Sequence, residues 1–467
     1  MNIDRFKNYG SEVRNLVLGF ETMCRRNERS FYDVDELETI IDYYLEELDV
    51  EWMERAMKYA EEMYPDALEI KLRKAHICCV KGDYKRALRL LKEMEQIEPW
   101  NSDVMYAMGA VYSSQGESQK SIDYYEKASH DGFELGMVYG NIADEYYSLG
   151  DVDKAVEYYK RALAESDDEE RSMENLCYCL CGADRAEEAE QYFEKLVYDE
   201  PYKVEGWFSL SAAYMAQEKW EQAIDACRYA LTIDEKCEKA YDRIAECYCN
   251  MGELKKAIDV MHEELDWTED KAEVYFSIGE MYFQLGNYES AIVYYKKAVE
   301  ADAMLSGALF GMAKCYVQLE DYGTAITYGH RALALEPQSP LYICAVAHMH
   351  ESYGEIDEAD ELFSNGVELN PNDDVCRVEY GEFLLRQEQY DDAIEVLNVG
   401  LVNAQFQLPY QVLLAVCYYR TGRRNFLFNA IRACVQYAEG ADLREYFAQY
   451  PEVLEDSEVM DILNHEW

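Results

Sequence analysis

Apolar residues recur along nearly the whole chain three and four positions apart, with polar residues between them. The clearest stretch is residues 272–305, AEVYFSIGEMYFQLGNYESAIVYYKKAVEADAML. Its pattern predicts two short amphipathic helices joined at Gly286. Laid over the rest of the sequence, this frame repeats every 34 residues, so that residues 34–441 divide into twelve repeats without insertion or deletion.

Numbering each repeat from 1 to 34, position 8 is small in Ala75, Gly109, Ala143, Cys177, Ser211, Ala245, Gly279, Ala313, Ala347, Gly381 and Ala415, with Ile41 the exception in the first repeat. Position 20 is Ala or Ser in ten repeats and becomes Met53 and Leu427 in the end repeats, as terminal repeats often do. Small residues at both places let two helices approach closely. Position 15 carries Gly82, Gly116, Gly150, Gly252, Gly286, Gly354 and Gly422, where a helix end needs positive φ, and is Asp or Glu in repeats five, six, nine and eleven. Tyrosine dominates position 11, and Pro65, Pro99, Pro201, Pro337 and Pro371 at position 32 stop the second helix.

This constellation resembles the tetratricopeptide repeat (TPR) family, and the long acidic array resembles uncharacterised bacterial cytosolic TPR proteins. The resemblance implies an all-α fold, a right-handed superhelical solenoid of about twelve 34-residue helix hairpins with helical caps at both ends. The first helix of each hairpin would line the concave face. Three segments follow: residues 1–33 as an N-terminal amphipathic helix or cap, residues 34–441 as the twelve repeats, and residues 442–467 as one or two capping helices.

The N-terminal helix is expected over residues 4–27, with Phe6, Val13, Leu16, Val17, Phe20 and Met23 on one face. Its basic surplus lets it cap the first repeat or dock into an acidic groove of its own chain or of a second copy, so self-association stays open. The acidic run Asp167-Asp168-Glu169-Glu170 is expected as a solvated turn.

Composition narrows the function. The net charge is −50, from 94 acidic and 44 basic residues, and such a surface repels nucleic acid. No window is apolar enough for a membrane span, and the N-terminus lacks the apolar core of a signal peptide. The 15 cysteines are scattered and odd in number, which favours a reducing cytoplasm over a disulfide framework. Cys177, Cys179 and Cys181 alternate, so on a helix Cys179 turns away from the other two and no zinc spacing results. No HExxH, GxSxG or P-loop is present, and 26 residues after position 441 are too few for an appended catalytic domain. No enzyme activity, metal or cofactor is expected.

The family resemblance places positions 2, 5, 9 and 12 of the first helix in the groove. In this sequence they supply Phe208, Met215, Phe276, Phe283 and Phe310, an apolar track with Glu246 and Glu280 among its acidic rims. That suits a partner segment with apolar anchors and Lys or Arg flanks. The alternative is that these aromatics pack against neighbouring helices. Some TPR adaptors clamp a C-terminal carboxylate through lysine, asparagine and arginine; here only Lys239 and Arg243 match, while Glu174, Tyr178 and Ser209 do not. A second candidate is the basic patch Arg420, Arg423, Arg424 and Arg432, inside a stretch free of Asp and Glu from residue 396 to residue 438. It either holds an anionic partner or neutralises the acidic C-terminal cap. The expected role is a cytoplasmic protein–protein interaction scaffold or adaptor; the alternative is a peptide- or small-ligand-sensing regulator without its own DNA-binding domain.

Overall fold

The structure, a computed structural model, describes residues 9–26, 28–131, 134–165, 169–371, 373–402, 404, 406–438 and 442–465. The expected extension of the first helix to residues 4–8 and 27, with Phe6, lies outside them, as do Asp167 and Asp168. Among the described residues there are 28 α-helices and no strand. They fall into two compact units, residues 1–235 and 236–467. Within each unit, helices pair as hairpins and each hairpin packs on the next.

The turns follow one rule. All twelve residues at position 15 have positive φ: the seven glycines, and also Leu48, Asp184, Glu218, Glu320 and Glu388, which have φ of 54° to 61°. The frame therefore imposes the left-handed conformation even where the residue disfavours it. Behind these turns, Asp49, Asp83, Asn287 and Asp321 accept a backbone N–H in the first turn of the second helix, satisfying one of its orphan donors.

Where position 8 is glycine, a side chain at position 24 requires it. A Cβ on Gly109 would stand 2.6 Å from the Tyr125 ring, one on Gly279 would stand 2.7 Å from Tyr295, and one on Gly381 would stand 2.5 Å from Leu397. Tyr295 is also the ring that a Cβ on Gly311, in the next hairpin, would meet at 2.6 Å. One buried tyrosine thus joins three helices. On the other side of several hairpins, the position 11 tyrosine stacks on a tyrosine of the second helix: Tyr112 on Tyr124, Tyr146 on Tyr158, Tyr282 on Tyr294 and Tyr316 on Tyr328. Lys120, Lys154, Lys297 and Arg331 lie over these rings.

Both ends of the array are covered. Helix Ser11–Arg26 packs on Val34–Glu46, burying Val17, Phe20 and Met23. Beyond the last hairpin come three short helices, Leu443–Tyr446, Pro451–Leu454 and Ser457–His465, which bury Leu443, Phe447, Val453 and Val459. The final stretch is broken into three pieces because Asp442, Pro451 and Asp456 each start a new helix.

One repeat places a carboxylate at a position that is uncharged in the other eleven. Ala298, Ala332, Gly366 and Gly400 occupy the place that Glu264 fills in helix Leu254–Leu265. Glu264 is 2% exposed, and among the described residues its Oε2 has no hydrogen-bond partner. Burial, then the nearby Asp242 and Glu238, raises its carboxyl from 4.5 to about 7.

Gly286→Ala should lower stability by about 1 kcal/mol, because nothing crowds that site and only the φ of 70° resists the change. Glu320→Gly should raise stability, by up to about 1 kcal/mol, since its left-handed φ is relieved at some cost in unfolded-chain entropy. Denaturant midpoints of the two variants should move in opposite directions. For Glu264 the folded pKa is raised, so the folded chain holds the proton more tightly. Its contribution is then fully present below pH 4.5 and is lost as pH rises to about 7. Glu264→Gln should therefore gain on the wild type across that window, by about 3 kcal/mol at the most, in melting curves recorded from pH 4 to pH 8.

Candidate functional site

In the second unit, Phe276, Glu280 and Phe283 project from helix Lys271–Gln284 at intervals of four and three residues, which places them on one helix face. Phe310 and Lys314 stand one turn apart on the next first helix, Ser306–Gln318. The structure brings these five together. Lys314 Nζ lies 4.9 Å from the centre of the Phe283 ring and 5.7 Å from that of Phe310. It donates to the two oxygens of Glu280 at 3.3 and 3.5 Å. The same carboxylate accepts the Tyr295 hydroxyl at 2.5 Å, and burial together with this bond holds the phenol protonated.

The three phenylalanines are half-buried. Phe276 packs on Tyr295 and beneath Gly307, Phe283 lies 5.4 Å from Tyr288, and Phe310 lies 4.7 Å from Tyr342. The position marked by sequence as a seat for a partner's lysine is thus occupied by the chain's own Lys314. Glu280 is not an idle rim acid; it terminates the core tyrosine that passes between the helices. Helix Lys271–Gln284 therefore holds its neighbours with the same residues that line its outer face.

The remaining candidates lie on other helices. Phe208 and Met215 belong to helix Val204–Met215 of the first unit. Phe208 is 5% exposed and fills its own core, so it offers no surface to a partner. Met215 is half-buried. Lys239, Arg243 and Glu246 lie on helix Glu238–Asn250, with Glu246 exposed and the two cations half-buried.

The basic patch is engaged within the chain. Arg420 pairs with Glu452 at 2.5 Å, and Arg424 pairs with Asp456 and, at 2.5 Å, with Glu458, all on or beside the terminal helices. Arg423 pairs with Asp391 of the preceding hairpin. The Asp456 carboxyl is held below its usual range, first by the Arg424 hydrogen bond. Arg432 is exposed on helix Arg424–Tyr437. Arg420 and Arg424 clamp the cap, which satisfies the charge that made the patch conspicuous in the sequence.

A further feature lies in the first unit. Between helices Leu68–Val80 and Ser102–Ser114 is a cavity of about 480 Å³, lined by Leu72, His76, Cys79, Asp103, Tyr106 and Ala107 among others. Leu72 and Tyr106 occupy position 5, His76 position 9 and Cys79 position 12, the register that the family resemblance assigns to the groove. Tyr106 is fixed by Asn141, which donates to its hydroxyl at 2.8 Å. Arg73 at the wall is bound to Asp42 at 2.6 Å. Burial, then Arg73, lowers the His76 pKa, so an uncharged imidazole faces the space at neutral pH. Its volume lies in the range of ligand sites, roughly 300–1,000 Å³. Small residues such as Ala107 and Ala110 create it, and missing bulk gives no positive signal in a sequence.

The cap clamp generates a prediction. Arg424→Gln should loosen helix Ser457–His465 without unfolding the array. Amide exchange in that helix should quicken several-fold while helix Lys271–Gln284 keeps its protection; unchanged exchange would show that apolar packing alone holds the cap.

Known families match four stretches of the chain. The family described as "Anaphase-promoting complex, cyclosome, subunit 3" matches residues 320–399. Three families described as "Tetratricopeptide repeat" match residues 272–303, 146–207 and 102–129. No curated protein matches the sequence. Among solved structures, yeast Tom70 is 14% identical, covering 85% of this chain and 98% of its own, with a TM-score of 0.43. The Cut9–Hcn1 hetero-tetramer of APC/C is 16% identical over 87% of this chain and 93% of its own, with a TM-score of 0.35. A TPR protein of Thermus thermophilus is 22% identical over 39% of this chain and 99% of its own, with a TM-score of 0.30. Repeat arrays of this kind serve in general as protein–protein interaction scaffolds and are typically non-enzymatic. No helix among the described residues is long and apolar enough to cross a membrane. The 34-residue frame, the hairpins it folds into and the matching families together make this chain a tetratricopeptide-repeat protein.

Proposed function

We propose that this chain is a non-enzymatic scaffold that captures a protein partner by an extended or helical segment laid on its first-helix faces. The observation that carries the reading is the cavity beside Leu72, His76 and Tyr106, on the register expected of a groove. An apolar side chain of the partner would enter between Leu72 and Ala107, and Asp103 at the rim would meet a Lys or Arg flank. The net charge of −50 supports a basic rather than an acidic partner and disfavours nucleic acid. In the second unit, Phe276, Phe283 and Phe310 add a half-buried apolar surface around Lys314. The cysteine pattern supports a cytoplasmic setting.

The volume of the cavity favours a second reading. At about 480 Å³ it also suits a small apolar molecule with one or two polar groups, as a ligand-sensing regulator would need.

Ala107→Trp fills the cavity from a half-buried position without touching the position 8 and position 24 contacts. Partners enriched on the wild-type chain in affinity purification from its native cell should fall about tenfold or more on this variant, with helicity by circular dichroism unchanged. If every enriched partner survives, the cavity is not the capture site. If a small molecule co-purifies with the wild type and is lost from the variant while protein partners remain, the second reading replaces the first.

A further inference from the structure

The junction between helices Tyr322–Leu335 and Pro340–Tyr353 carries a pair of residues found at no other junction of the repeat frame. Position 11, a tyrosine in eight repeats, is His350 here, and position 25 of the preceding repeat is His330. His330 is exposed, whereas His350 is 6% exposed. Their Nε2 atoms stand 2.9 Å apart, with ring planes at 66°. The other nitrogen of His350, Nδ1, lies 2.7 Å from Oε2 of Glu355, the residue that precedes helix Ile356–Leu369.

A carboxylate at Nδ1 keeps the proton there and turns the Nε2 lone pair outward, toward His330. This is the outer-shell arrangement that orients metal-binding histidines. Two imidazole nitrogens at about 2.0–2.1 Å from one ion stand about 2.9 Å apart at a right angle and about 3.3 Å apart at a tetrahedral angle. The observed spacing matches the first, and a small rotation of the exposed His330 reaches the second. Among the described residues no group of three or more His, Cys, Asp or Glu side chains could hold a metal ion, so water would complete the coordination on the open side of His330.

We infer that His330 and His350 form a two-histidine site for a borderline divalent transition-metal ion such as Zn²⁺ or Ni²⁺, with Glu355 orienting His350 from the second shell. Imidazole donors select such ions over Mg²⁺ and Ca²⁺. The bound ion would tie the second helix of one hairpin to the first helix of the next, and would stabilise the folded chain through binding it alone. A direct imidazole–imidazole hydrogen bond accounts for the same spacing, and the two readings differ in their response to metal.

The experiment is an isothermal titration of the full, chelator-treated chain with Zn²⁺, and separately with Mg²⁺, together with melting curves at each metal level. His330→Ala, at an exposed position, should remove one zinc-binding event and its share of the zinc-dependent rise in melting temperature. Glu355→Gln should weaken that event about 10–100-fold. His262→Ala should leave it intact, and Mg²⁺ should produce no such event. Zinc held by any of the 15 cysteines persists in all variants, so the difference between proteins reports the site. Equal stoichiometry and affinity in wild type and His330→Ala, or loss of the same event in His262→Ala, would overturn the proposal.

Discussion

The tightest constraint in the structure is the contact between a small residue at position 8 and the side chain at position 24 of the same hairpin. In the hairpin of residues 271–301 the side chain is Tyr295 and the small residue is Gly279. A methyl group at Gly279 would meet the ring at 2.7 Å, too close for any real Cβ contact. Because Tyr295 is pressed equally against Gly311, the same ring sets the spacing within one hairpin and between two. Its hydroxyl then has to emerge where an acceptor waits, and the buried phenol meets Glu280. Tyr159 and Asp144 repeat the arrangement beside Ala143. In these two hairpins the buried core tyrosine is thus tied to an acid on the first helix.

This coupling explains which parts of the protein were legible in its sequence. The period, the hairpins and the turns are local, since each rests on the choice of residue at one position of a repeated frame. The left-handed φ of Glu218, Glu320 and Glu388 shows how strictly the frame holds where the expected glycine is absent. The candidate site is not local. Phe276 and Phe283 share a face of one helix, as their spacing requires, but what they touch comes from elsewhere in the chain: Tyr295 and Tyr288 from the second helix and Lys314 from the next hairpin. Helical periodicity says which way a side chain leaves its own helix and is silent on what crosses from the neighbour. Phe208 shows the same limit, for it shares a frame position with Phe276 and Phe310 yet is buried.

Charge follows a similar logic. With 44 cations against 94 acids, the chain uses many of its lysines and arginines internally. Some lie over the tyrosine stacks, as Lys154 and Arg331 do. Others clamp the terminal helices, as Arg420 and Arg424 do. The conspicuous basic patch was therefore a sign of the acidic cap that follows it. Exposed ion pairs contribute little each, and their effect here is to place short helices that have little core of their own.

Recognition and stability are consequently separable in one place and inseparable in another. Around Lys314, each side chain that faces outward also braces a neighbouring helix: Glu280 through Tyr295, Phe310 through Tyr342, Phe276 through Gly307. Natural variation there is constrained by the fold before any partner is considered. The cavity beside Leu72 and Ala107 is framed differently. Its floor is made by small residues, and its polar walls are fixed from behind, Arg73 by Asp42 and Tyr106 by Asn141. Of its lining, Leu72 and Ala107 are half-buried, whereas Ala75, Leu91 and Val111 belong to the core that holds the hairpins. Under the proposed function, the half-buried part of that lining is where partner specificity would be tuned with least cost to the hairpins.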